Sequence, residues 1–363
     1  MGRCGPVGRA LAGRAKLGGV SHLVAAPDKF RGTAGATEVA AAAAGAARAA
    51  GWTADEVPMA DGGEGTLEAV GGEVRHTTVS GPLGRPVDAE WRMVEVGDDG
   101  PTAVIEMARA AGRALLPSPT GDDPVRATTT GVGQLVVAAV DAGARRVVVA
   151  VGGSATSDGG LGAVEAIGSR ERLGGAALVV ACDVRTPFRQ AAAVFGPQKG
   201  ATPEQVAALT LRLDDLAERY RAEAGVDVDR LEGAGAAGGL AGGLASLGAR
   251  LVPGFELVAE LTGLAGRVAA ADLVVTGEGR LDPSSFEGKV VGGVVAMVGG
   301  RVPVLCVVGD ADPETAAHPP VGGPGVEVAS LTALYGPERA TGEVVALVAE
   351  VVAGYLARHR TAR

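Results

Sequence analysis

What this chain has little of narrows its function first. Aromatic residues make up 3% of its 363 residues, and the four histidines (His22, His76, His318, His359) are scattered, without metal spacing or a nucleophilic triad. Three cysteines, Cys4, Cys182 and Cys306, are odd in number and far apart, which argues against a disulfide framework or a zinc site. Cys182 and Cys306 sit in apolar, strand-like runs and read as buried, inert thiols. No uninterrupted apolar stretch approaches the roughly 20 residues needed to span a bilayer, and the basic, Gly-rich start lacks the apolar core of a signal peptide. Residues 1–20 therefore read as a disordered tail, and the protein as cytoplasmic with no membrane partner. Positive charge is not in excess either: a net charge of −9 leaves no electrostatic footprint for nucleic acid.

Familiar nucleotide and hydrolase signatures are also missing. No G-x-x-x-x-G-K-[ST] loop occurs, because Gly288-Lys289 is followed by Val290 and Pro283 stands at the first glycine position. The run Gly233-Ala234-Gly235-Ala236-Ala237-Gly238 matches G-x-G-x-x-G but follows Asp229-Arg230-Leu231-Glu232 rather than an apolar strand. It reads as a tight helix N-terminus touching phosphate at Gly235 rather than as a dinucleotide fingerprint. Ser154 lacks a G-x-S-x-G elbow. Zinc and hydrolase chemistry both lose ground.

What is present is a packed α/β pattern. Gly reaches 59, yet 47% of the residues are hydrophobic and no Gly-X-Y period runs through the chain. The sharpest stretch is Arg145–Gly168: a Val-rich strand at 147–151, a polar loop opened by Gly152-Gly153, and a helix opened by Gly159-Gly160. Similar strand–loop steps occur at Asp28–Thr33, Asp61–Thr66, Asp183–Thr186 and Gly277–Asp282. In an α/β sheet such loops share one edge, so their groups meet around one ligand. From about Glu73 the texture turns to strands at 74–80, 89–96 and 102–107, separated by turns, while Asp272–Thr276 and 302–308 return to simple β/α alternation. Ser118–Asp123 reads as an ordinary loop. This gives a domain of residues 21–65 plus 284–363, with 66–283 inserted as a second.

The loops hold two complementary sets. Asp61, Glu64, Asp158, Asp183, Glu278 and Asp282 offer oxygens for a hard cation, and Lys29, Arg31, Lys199 and Lys289 offer charge for phosphate or carboxylate. Phosphoryl transfer needs both, together with a glycine-lined cradle and one carboxylate to accept a hydroxyl proton.

The strings Ala26–Gly32 (APDKFRG), Pro58–Thr66 (PMADGGEGT), Gly152–Gly160 (GGSATSDGG), Ala181–Val184 (ACDV), Val194–Thr202 (VFGPQKGAT), Gly233–Gly239 (GAGAAGG) and Thr276–Gly279 (TGEG) resemble, in order, those of the type I, two-domain bacterial glycerate kinases. The resemblance covers about Val24 to Asp310. It implies a Rossmann-like parallel-sheet domain built from both chain ends, an inserted mixed α/β domain, and an active site in the cleft between them. It implies transfer of the γ-phosphoryl group of ATP, with Mg2+, to D-glycerate. The expected product is 2-phosphoglycerate rather than 3-phosphoglycerate, within glyoxylate and glycerate catabolism. On this resemblance Asp183 is the expected base, with Asp61 second. Asp28, Lys29, Arg31 and Lys289 would hold glycerate, Gly152, Gly153, Ser154, Ser157, Asp158, Gly159, Lys199 and Gly235 would face ATP, and Glu64, Glu278 and Asp282 would serve the metal. A monomer or homodimer is expected. The alternatives are a non-catalytic metabolite sensor on the same scaffold and, more weakly, a dehydrogenase. The chain departs from the family at Ser157, where Asn is usual, at Ser285, where Thr is usual, and between Gly168 and Ala177, which is shorter than the usual segment.

Overall fold

The computed structural model describes residues 20–97, 100–116, 121, 123–320 and 325–360. The expected tail, apart from Val20, and most of the loop at 118–123 lie outside them. Eleven strands occur among the described residues: β1 (His22–Ala25), β2 (Thr53–Glu56), β3 (Glu73–Ser80), β4 (Pro86–Glu95), β5 (Pro101–Glu106), β6 (Arg146–Ala150), β7 (Ala177–Ala181), β8 (Arg250–Val252), β9 (Leu273–Leu281), β10 (Val304–Ala311) and β11 (Val326–Ser330). They divide between two compact units, one formed by the chain up to Pro58 and from Gly263 onward, the other by Met59–Thr262.

In the first unit the sheet order is β11-β10-β9-β1-β2, and every pairing is parallel. Central strands of such a sheet are covered on both faces, so they are apolar throughout rather than alternating. Leu23, Ala25, Leu273, Val275, Leu305 and Val307 pack with the helices Ala36–Ala49 and Val344–Arg360. The alternate residues Val24, Val274 and Cys306 are buried as well. Burial pushes the Cys306 thiol up to about 12, in keeping with an inert core residue.

The second unit has the order β3-β4-β5-β6-β7-β8, antiparallel from β3 to β5 and parallel from β5 to β8. Ile105, Val149 and Val180 face one core with Leu135, Val136, Leu240 and Leu244. Val104, Val148 and Val179 face another with Leu67 and Leu257. The long helix Pro203–Ala224 buries Leu209, Leu213 and Leu216 as its spacing predicts, opened by a Thr202–Gln205 capping box and closed by Gly225 in the left-handed region.

The structure differs from the sequence reading at both crossings between units. Strand β9 was expected in the inserted domain, yet it pairs with β1 (Leu23 with Leu273) and with β10, and so belongs to the unit of the chain ends. It also continues to Leu281, so Gly277–Leu281, read as loop, is strand; Gly277 makes this possible, because a β-carbon there would lie 1.9 Å from the Val307 carbonyl oxygen. Residues 59–65, assigned to the first domain, belong with the second. Their backbone is tied to Glu106 at the end of β5, which accepts from Gly65 N (2.8 Å) and Leu67 N (3.1 Å).

Candidate active site

In the second unit three polar segments converge at the C-terminal ends of β5, β6 and β7. The contact is made by glycine backbone, since no side chain fits. A β-carbon on Gly152 would stand 2.6 Å from Gly63 Cα, one on Gly62 2.7 Å from Gly254 Cα, and one on Gly254 2.0 Å from the Asp61 carbonyl oxygen. This brings the 61–66 loop against Gly152 and against the start of the helix Gly254–Leu261. The Glu64 carboxyl carbon comes within 3.9 Å of the place a Gly153 β-carbon would occupy.

Asp183, directly after β7, is fixed by one hydrogen bond, Gly254 N donating to Oδ1 at 2.7 Å. Surrounding protein atoms push its carboxyl up to about 7 against the lowering effect of that amide, and the negative charges of Asp61 and Glu256 add to the rise. The residue keeps an exposed edge, so a carboxylate near neutrality remains within reach of a ligand.

One third of the Gly152–Gly160 loop is accessible and the rest is structural. Gly152, Gly153 and Ser154 keep surface, whereas Thr156, Ser157, Asp158, Gly159 and Gly160 are buried. Asp158, expected at the ATP phosphates, spends both oxygens on the protein. Its Oδ2 accepts from Thr129 N (2.7 Å), Thr129 Oγ1 (2.9 Å) and Gly162 N (3.3 Å), and its Oδ1 from Gly160 N (3.1 Å). Lys199 is 4% exposed, and its ammonium donates to the Thr156 carbonyl beneath the loop. Burial lowers it to about 8, opposed by the Asp158 charge. Gly235 donates its amide to the Thr186 carbonyl at 3.0 Å, so here it closes a turn. The following Ala237, Gly238 and Gly239 all have positive φ, Ala237 alone among non-glycine described residues. They press on the loop so closely that a β-carbon on Gly238 would lie 2.1 Å from the Thr156 carbonyl oxygen.

The first unit carries its own cluster. Glu278, on β9, is 9% exposed, and its Oε1 has no hydrogen-bond partner. Burial pushes it up to about 7, countered by Ser285 and Lys289 and reinforced by Asp28 and Asp282. Asp282 caps the turn Pro283–Phe286, accepting from Ser284 N (2.8 Å) and Ser284 Oγ (2.6 Å) through Oδ1. Lys289 Nζ donates to Ser284 Oγ at 2.7 Å. After β1, Asp28 and Lys29 are half-buried and Arg31 is exposed. The hydroxyl at Ser285 is retained in use, accepting from Asp282 N at 3.0 Å.

The five loops therefore do not share one sheet edge. Asp28–Thr33 and Gly277–Asp282 lie in the unit of the parallel sheet, the other three in the unit of the mixed one. Sequence reasoning missed Glu106, Arg109, Glu256 and Gly254. Glu106 is 1% exposed, is pushed up by burial, and is held by Arg109 Nε at 3.2 Å. A carboxylate closing an apolar strand, as in Thr102–Glu106, was its available signal. Among the described residues no three His, Cys, Asp or Glu converge as a metal cluster.

Strand-end loops that gather carboxylates, lysines and glycine backbone on two α/β units define an enzyme built to handle anionic ligands. The glycerate kinase family model matches residues 23–171 and 168–323, and the chain belongs to that family, whose members are phosphotransferases. It is 39% identical to the Glycerate 2-kinase of Escherichia coli K12 over 310 residues, 75% of this chain and 80% of that one. It is also 39% identical to a Glycerate kinase of Bacillus subtilis over 326 residues, 79% and 84% of the two chains. A solved chain from Salmonella typhimurium LT2, described as a glycerate kinase 2, superposes with a TM-score of 0.77 at 34% identity, covering 94% of this chain and 100% of that one.

Proposed function

We propose that this protein transfers the γ-phosphoryl group of ATP to D-glycerate and forms 2-phosphoglycerate, within glyoxylate and glycerate breakdown. The observation that carries the mechanism is Asp183: a ligand-accessible carboxyl near neutrality, oriented by one backbone amide, suits a base that takes a hydroxyl proton as the phosphoryl group arrives. Asp61 is the second choice. Lys29 and Arg31 hold the glycerate carboxylate, with Asp28 and Lys289 shaping that subsite. Gly152, Gly153 and Ser154 face the ATP phosphates directly, while Ser157, Asp158, Gly159, Lys199 and Gly235 support them from below. The name of the Escherichia coli relative, Glycerate 2-kinase, favours the 2-position.

The residues also suit a magnesium ion. Magnesium takes oxygen ligands and needs only one or two carboxylates beside phosphate and water. The unpartnered Glu278 Oε1 and the half-buried Asp282 are such donors, and Glu64 offers another. When bound, the ion would neutralise charge on the nucleotide phosphates. A catalytically silent sensor is the second reading, but two carboxylates held near neutrality, Asp183 and Glu278, favour catalysis.

ADP release measured with D-glycerate, L-glycerate, glycolate and hydroxypyruvate tests the reading. D-glycerate should dominate, and phosphorus NMR should place the phosphate on the 2-hydroxyl. No glycerate-dependent ADP would remove the kinase assignment.

The same groups set a pH profile. Asp183 works deprotonated and titrates about 7, so kcat/KM should rise as pH increases through that value. Lys199 works charged and titrates about 8, so activity should fall above it. A bell with its top between these two values is expected; a flat response through neutrality would contradict the role given to Asp183.

A further inference from the structure

At the end of the mixed sheet where β6 and β7 begin, opposite the loops that follow those strands, the second unit carries an open recess of about 630 Å³. Four arginines line it, Arg145, Arg146, Arg170 and Arg250, against one carboxylate, Glu260. In a chain of net charge −9 this is a concentration of the minority sign in one recess. Glu260 is committed to Arg146, whose two terminal nitrogens each donate to it. Arg146 itself is 9% exposed, so one guanidinium forms a buried wall. Among the described residues Arg145, Arg170 and Arg250 make no ion pair within 4 Å, although the charge of Arg250 acts on Glu260 and that of Arg170 on Glu171. Arg170 crosses Gly248, its guanidinium carbon 3.1 Å from where a β-carbon would stand, and Gly248 at φ +93° leaves that room. The remaining wall is apolar, with Leu173, Leu178 and Leu247.

One segment that lines this recess is the one where the sequence reads as departing from the family. Arg170, Leu173 and Gly175 to Ala177 lie in the shortened stretch between Gly168 and Ala177, and the family match itself divides there, ending at 171 and resuming at 168.

We propose that this cavity is a binding site for a small phosphorylated carboxylic acid. Guanidinium forks pair bidentately with phosphate and carboxylate oxygens, and several of them around a recess of this volume suit a compact ligand with two or more negative charges. The apolar wall takes its carbon skeleton.

Calorimetric titration of the full chain with 3-phosphoglycerate, and separately with inorganic pyrophosphate, tests this. Arg170 and Arg250 are exposed, so R170A/R250A should fold normally, as its circular dichroism would verify. It should bind 3-phosphoglycerate at least tenfold more weakly than the wild type. E260Q, which removes the opposing carboxylate and releases Arg146, should bind it severalfold more tightly. R219A, a charge loss on the helix Pro203–Ala224 outside the cavity, should leave affinity unchanged. Pyrophosphate should follow the same order with weaker binding, as it lacks the carboxylate. Equal affinity across the four proteins, or no binding of 3-phosphoglycerate to the wild type at millimolar concentration, would overturn the proposal.

Discussion

Replacing Asp183 by asparagine should lower turnover by roughly 10²–10⁴-fold while leaving both substrates bound, because the amide keeps the shape of the carboxyl but cannot accept a proton. The loss should be large because the geometry leaves that oxygen little other work. Gly254 N holds Oδ1, and among the described residues no hydrogen bond is made to Oδ2. The pKa near 7 has an identifiable origin, first in the protein atoms around the carboxyl, then in the charges of Asp61 and Glu256. Neutralising Asp61 should therefore lower the Asp183 pKa and shift the acid limb of the profile downward, a smaller effect than removing the base. Steady-state ADP release for kcat, with calorimetric affinities for glycerate and for a non-hydrolysable ATP analogue, separates the two. Near-normal turnover in D183N together with collapse in D61N would transfer the role to Asp61.

Replacing Asp158 by alanine should act on stability rather than on chemistry. Its carboxylate is 6% exposed and accepts four hydrogen bonds that tie Thr129 to the start of the helix Leu161–Ile167. Removal strands buried donors at Thr129, Gly160 and Gly162 and leaves the Lys199 ammonium without its opposing charge. Each unsatisfied buried donor costs about 1–3 kcal/mol, and a buried charge left without its partner about 3–5 kcal/mol, so a loss of at least about 3–5 kcal/mol is expected. For a unit of this size that corresponds to a fall of roughly 10 °C or more in the midpoint of thermal unfolding. Differential scanning calorimetry checks this, followed on the transition of the mixed-sheet unit. Wild-type stability with weakened ATP binding alone would instead return Asp158 to the phosphates, where its place in the sequence first put it.

That contrast shows where sequence reading stopped. Asp158 and Asp183 look alike in the chain, each a carboxylate in a polar loop after a Val-rich strand. Their partners separate them: Thr129 lies 29 residues before Asp158, and Gly254 lies 71 residues after Asp183. Lys199 likewise reads as a clamp for phosphate, yet burial beneath the Thr156 carbonyl makes it a charge under the loop. Glu106 offered only the weak signal of an acid at a strand end, since its purpose, holding Gly65 N and Leu67 N, depends on which loop lies over β5. The strand β9 was assigned to the wrong unit because a short Val-rich run carries no mark of its sheet.

By itself the sequence determined the α/β class, the family, the strands of both sheets' centres, and the glycine and carboxylate loops at their ends. These follow from local causes: side-chain period, β-branched runs, and glycine where the backbone needs positive φ or close approach. Only the tertiary structure decided which strands share a sheet, which carboxylates are spent on backbone amides, which stay near neutrality with an open edge, and that four arginines from distant segments line one cavity. Those outcomes rest on burial and on pairing across long stretches of chain. Both depend on strand order, which no local pattern encodes.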